Sequence, residues 1–137
     1  MGRTAGRVPD LFEREAFEAF VLRLPATALV HQWGDTAVGK VGGKIFALHG
    51  GGVAGDPAAL SFKCSDLAFE MLPELLGVRP APYLARAKWV AVAEGSALSR
   101  AELVAYVTEA HRLVAARLPR RLRAELGLTA DHPGTTS

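Results

Sequence analysis

Lys40-Val41-Gly42-Gly43-Lys44-Ile45 is the stretch that decides the fold. Two β-prone runs, Thr36 to Val41 and Lys44 to Leu48, meet at the glycine pair. Two glycines between strands suit a type I′ turn, which needs positive φ at both central positions. The stretch is therefore predicted to be a tight hairpin, with Lys40 or Val41 paired across the turn with Lys44 or Ile45. Ala28 to Trp33 and Leu60 to Cys64 are further short β-prone runs on either side, so the middle of the chain reads as an antiparallel meander. Gly50 to Pro57 holds four glycines, and the entropy cost of ordering them predicts a long, mobile connection.

Helical patterns flank the meander. Asp10 is the expected N-cap of a first helix running to about Leu24, with Glu13 completing a capping box and Pro25 ending it. Phe12, Ala16, Phe20 and Leu24 recur every four residues, with Phe17 and Val21 alongside, and define its apolar face. Ser65-Asp66 caps a second helix from about Leu67, Pro73 kinks it or begins a short turn, and Gly77 closes it. Pro80 to Tyr83 reads as stiff and extended, Arg86 to Lys88 as a basic turn, and Trp89 to Val92 as a fifth strand. Ser99 with Glu102, and Leu98 with Leu103, give a capping box and a hydrophobic staple that agree on the start of a last long helix to Leu118. Pro119 permits a new helix start, and Gly127 is its stop. Residues 1–9 are expected to be a disordered arm, 10–127 one domain and 128–137 a disordered tail.

The 137 residues are half apolar, enough for one core. No apolar run approaches the roughly 20 residues that span a bilayer, and the two arginines of Met1 to Val8 are followed by no apolar segment. Cys64 is the sole cysteine and has no internal partner, which fits a reducing cytoplasm. The net charge of +2 does not by itself indicate a nucleic-acid partner.

Several catalytic signatures fail on inspection. Gly34 to Lys40 matches the first seven positions of a phosphate-binding P-loop, but Val41 stands where a metal-coordinating hydroxyl is needed, and a hairpin follows instead of a helix. Gly50, Gly52 and Gly55 match a dinucleotide fingerprint in letters, yet no strand-helix-strand unit surrounds them. His31, His49, His111 and His132 show no metal-ligand spacing. Glu13, Glu15 and Glu18 are broken up as an acidic ridge by Arg14 and Arg23, and no serine sits in a nucleophile elbow. The expectation is a binding module with no catalytic activity, no cofactor and no metal.

What remains is basic and aromatic. Lys40 and Lys44 flank the turn, Lys63 lies in the fourth strand, and Arg79, Tyr83, Arg86, Lys88 and Trp89 gather around the proline-rich stretch. Cations can neutralise phosphates while aromatic faces stack on bases; the competing reading of Trp89, beside Val90 and Val92, is core. Arg112, Arg117, Arg120, Arg121 and Arg123 recur at helical spacings and read as a second cluster or as a solvated helix face.

Trp33-Gly34-Asp35, Lys40 to Ala47, Phe62-Lys63-Cys64, Gly77 to Leu84 and Lys88-Trp89-Val90 occur in an order and spacing that resemble the MmcQ/YjbR family over about Phe12 to Leu126. The resemblance implies an α+β fold of the CyaY-like, double-wing-like kind, an antiparallel sheet with helices packed on one face. It also implies the family's usual description as DNA-binding, a label that rests on analogy of fold. Many relatives have an Asn-Lys pair followed by His before the tryptophan, whereas this chain has Ala85-Arg86-Ala87-Lys88, so no role of that Asn or His carries over. The resulting expectation is a monomeric cytoplasmic module with no membrane association, docking on DNA through Lys40, Lys44, Lys63, Arg79, Arg86 and Lys88, with Tyr83 or Trp89 as stackers. The alternative is a protein-interaction or small-ligand adaptor using the same sheet face.

Overall fold

In the computed structural model, Gly42 and Gly43 take φ of 58° and 83°, and the hairpin sets Val41 opposite Lys44 and Lys40 opposite Ile45. The structure describes residues 8–32, 35–50, 60–81 and 84–128. Strands β1 (Thr27–Gln32), β2 (Thr36–Val41), β3 (Lys44–His49) and β4 (Leu60–Lys63) form the expected antiparallel meander. β6 (Trp89–Val92) pairs with β4 and β5 (Val78–Pro80) with β6, giving the order β1-β2-β3-β4-β6-β5. Trp33, residues 51–57 of the expected mobile connection, residues 1–7 of the arm and 129–137 of the tail lie outside the described residues.

β5 corrects the five-strand reading. Three residues are too few to show an alternating pattern, and Pro80 belongs in a strand only where an edge needs no donor from it. The edge is closed to further pairing on its donor side. Ala81 and Ala93 donate N–H groups across the β5–β6 pair, to Trp89 and Gly77, so the backbone polar groups of Val78 and Pro80 point away from β6, while the Val78 side chain stays in the core. The Val78 N–H is taken by the Leu75 carbonyl at 3.2 Å, and Pro80 has none.

The first helix, α1 (Arg14–Arg23), starts later than the sequence suggests. The Asp10 carboxylate accepts the Phe12 N–H at 3.1 Å, and its carbonyl accepts the Glu13 N–H at 3.0 Å. Asp10 thus makes a local turn that competes with helix, and the turn delivers Leu11 into the core, where it is fully buried. Glu13 takes the N-cap position without a side-chain bond. The later starts agree with expectation. Ser65 caps α2 (Asp66–Met71) by accepting the Ala68 N–H, and a 3-10 turn follows over Leu72–Glu74. Ser99 and Glu102 exchange both capping-box bonds at the head of α3 (Arg100–Ala116). α4 (Arg120–Glu125) ends with Leu128 and Gly127 donating to Arg123 and Ala124, the paired bonds of a Schellman stop.

α1 and α3 cover one face of the sheet. Phe17, Val21, Leu103, Val107 and Ala110 pack there against Ala37, Val41, Phe46, Phe62, Val90 and Val92. The register slips between Gly39 and Lys40, which leaves Phe46 as an extra residue in β3. This bulge lets Phe46 and Ala47 both face the helices, and Phe46 meets the His111 ring edge-on at 5.4 Å. The opposite face carries a smaller buried cluster of Val38, Leu48, Ala81, Trp89 and Ala91.

Candidate functional site

A two-residue hairpin puts the residues flanking its turn on one face and their neighbours on the other. Lys44 opposes Val41, which belongs to the helix-side core, whereas Lys40 opposes Ile45 on the Trp89 side. The structure therefore separates Lys40 from Lys44. Lys44 instead stands at the end of the sheet where β3 begins and β4 stops, beside the end of α3.

There a cleft of about 430 Å³ is lined by Lys44, Ile45, Lys63, Arg117, Leu118 and Pro119 among others, and no carboxylate lines it. Arg117 is the C-cap of α3. Leu118 fills the space under the hairpin so closely that a Cβ on Gly42 would lie 2.5 Å from it, which locks the turn and the end of α3 together. The Lys63 ammonium donates to the Ala87 carbonyl at 2.6 Å. Burial first, then Arg117, hold the Lys63 pKa below its ordinary value, Lys88 adding a little and Asp66 opposing. An anion entering the cleft would meet Lys44, Lys63 and Arg117 and would relieve the repulsion between Lys63 and Arg117.

The other candidate residues do not join this group. Trp89 is 3 % exposed and packed in the second cluster, so as a base-stacking platform it is excluded: its ring face is occupied. The Lys88 ammonium lies 5.1 Å over the Phe69 ring, and its backbone is left-handed at φ 66°. Arg79 and Arg86 are exposed, on β5 and on the 3-10 turn Ala85–Ala87. Tyr83 lies outside the described residues. Arg117, read from sequence only as one of a helix-face cluster, is the residue that completes the cleft; periodicity could not reveal that α3 ends beside the hairpin.

Of the remaining suspect chemistry, Gly34, Gly52, Gly55 and His132 lie outside the described residues, and the rest resolves into structure. Thr36 to Val41 of the P-loop-like stretch is strand β2, and the hairpin follows it. His49 and His111 are buried and bind the Phe12 and Pro25 carbonyls through Nε2 at 2.6 and 2.8 Å, and His31 pairs with Glu18 at 2.7 Å. Among the described residues no group of His, Cys, Asp and Glu could hold a metal ion, and no helix is long and apolar enough to cross a membrane.

Fold and site together define an α+β protein with helices on one face of an antiparallel sheet and a cationic cleft at the sheet end. The YjbR family model matches residues 22–113, and the chain belongs to that family. Among solved structures it is similar to Deinococcus radiodurans protein DR2400, described as a DUF419 domain. The identity is 25 %, the match covers 83 % of this chain and 87 % of that one, and the TM-score is 0.70. A comparison with curated proteins gives no match.

Proposed function

We propose that this chain is a non-catalytic DNA-binding module that grips the phosphate backbone at the sheet-end cleft. One observation carries the reading: Lys44, Lys63 and Arg117, from three separate elements, line one cleft that has no carboxylate in its wall. Point charges of this kind contact phosphates and read little sequence, so binding should be sequence-tolerant and salt-dependent. Fluorescence anisotropy with duplex DNA over a salt series tests it. Each phosphate contact contributes a slope of about −0.9 in log K against log salt, so Lys44→Ala with Arg117→Ala should flatten the slope by roughly two. Unchanged affinity and slope in the double variant would remove the cleft from the function.

The cleft volume favours a second reading, a small anionic ligand, since it falls in the range of about 300 to 1,000 Å³ typical of such sites. Inorganic phosphate that protects the fold against heat at millimolar concentration, with no measurable DNA binding, would select that alternative.

A further inference from the structure

Four of the five large apolar side chains that stand exposed among the described residues fall within one short segment. They are Leu67 at 65 %, Met71 at 56 %, Leu75 at 38 % and Leu76 at 77 %. Leu67 and Met71 stand one turn apart on α2, and Leu75 and Leu76 follow directly after the 3-10 turn, so the exposed apolar stripe begins on α2 and continues past its end. The segment's inward side is already occupied, because Ala68, Phe69 and Leu72 pack on the core. The backbone beneath the stripe is fixed: Leu75 donates to Leu72 at 2.9 Å, and Ala97 donates to the Leu76 carbonyl at 2.9 Å. The surface is therefore preformed.

Its exposed border carries three acidic residues, while the Lys88 ammonium lies over the Phe69 ring of the same helix. Asp66, Glu70 and Glu74 are exposed and recur at intervals of four, and no Lys or Arg occurs between Lys63 and Arg79. Asp66 suits the first turn of α2, but Glu70 and Glu74 make no hydrogen bond or ion pair among the described residues.

We infer that this stripe is a docking surface for a basic amphipathic helix of a partner protein, whose leucine-like side chains cover Leu67, Met71 and Leu75 while its lysines or arginines face Glu70 and Glu74. The inference does not rest on the cationic cleft. A second copy fits less well, because a two-fold contact lays the same patch on itself and would bring the acidic borders together. An anionic lipid surface would be repelled by the same carboxylates. Helix-in-groove recognition uses apolar anchors at spacings of three, four and seven, which the stripe complements.

The test uses two synthetic helical peptides of about 15 residues with leucines at those spacings, one with lysine on its polar face and one with glutamate. Anisotropy at about 0.15 M salt, where exposed charges act only over about 8 Å, should show binding of the lysine peptide and none of the glutamate peptide. Leu67→Ser with Met71→Ser should weaken binding about tenfold or more, as should Glu70→Lys with Glu74→Lys. Lys44→Ala with Arg117→Ala should leave it unchanged. All these positions are exposed, so an unchanged thermal midpoint verifies each fold. Equal binding of both peptides, or full binding by the leucine variant, would overturn the inference. So would a concentration-dependent dimer abolished by the leucine variant, which would assign the stripe to a second copy.

Discussion

Lys63 and Cys64 are adjacent in the chain but turn to opposite sides of the sheet, and their chemistry diverges with their surroundings. Lys63 opposes Trp89 and reaches the cleft, while Cys64 joins the helix-side core at 3 % exposure. Burial pushes the Cys64 thiol up to about 12, against the weaker opposing pull of Lys63. Only thiolate attacks disulfide reagents, so the native protein should resist Ellman's reagent at pH 8 and react fully once unfolded. The stability consequence has a definite sign. In the unfolded chain the thiol ionises near 9.0, whereas the fold holds the proton to about 12; the contribution is complete below pH 9 and is lost as pH rises toward 12. Between pH 7 and pH 10, urea unfolding of the natural chain should lose about 1.4 kcal/mol more than that of Cys64→Ala. Equal losses, or labelling of the native thiol at pH 8, would contradict this placement of the side chain.

Among elements, the junction between the 3-10 turn and β5 is the least forgiving. Gly77 takes φ 81°, and a Cβ there would lie 2.7 and 2.8 Å from Ser96 Cβ and Cα. Ser96 cannot yield, because Ala93 N–H to Gly77 O at 2.8 Å and Ala97 N–H to Leu76 O at 2.9 Å hold its turn in place. Gly77→Ala should therefore cost more than the 1–3 kcal/mol of a left-handed residue alone, about 3–5 kcal/mol in urea unfolding. Gly43→Ala is the control: its φ is 83° but nothing lies within 4 Å, so about 1–2 kcal/mol is expected. Equal losses at the two sites would mean that the Ser96 turn moves freely. Elements of this kind also show where sequence is legible. The hairpin, the α3 capping box and the Ser65 cap depend on neighbours a few positions apart, and each was readable. Asp10 is ambiguous in sequence because one carboxylate serves a turn or a helix N-cap equally well, and the turn prevails where it delivers Leu11 into the core. β5 is not legible locally, because what makes it a strand is its partner β6, ten residues away and more.

At the scale of the whole molecule, the separation of charge could not be read from composition. The formal charge of +2 conceals a cationic sheet end and an acidic border along α2 and its 3-10 turn, and long-range packing decides which residues belong to each. Arg117 joins Lys44 and Lys63 only because α3 ends beside the hairpin, with Leu118 seated under Gly42. The same register moves Lys40 to the other face and buries Trp89. If phosphates are held by the cleft and not attracted by net charge alone, distance and screening should separate the two effects. Glu70→Lys with Glu74→Lys adds four charges to the formal +2 without touching the cleft. Near 0.15 M salt, where the Debye length is about 8 Å, this variant should bind duplex DNA within about twofold of the natural chain, while Lys44→Ala with Arg117→Ala binds far more weakly. Near 0.01 M salt, where the Debye length is about 30 Å, the added lysines should raise affinity, because their field then reaches the whole surface. A gain of tenfold or more from Glu70→Lys with Glu74→Lys at the higher salt would show that DNA lies across α2, and would move the binding face away from the cleft.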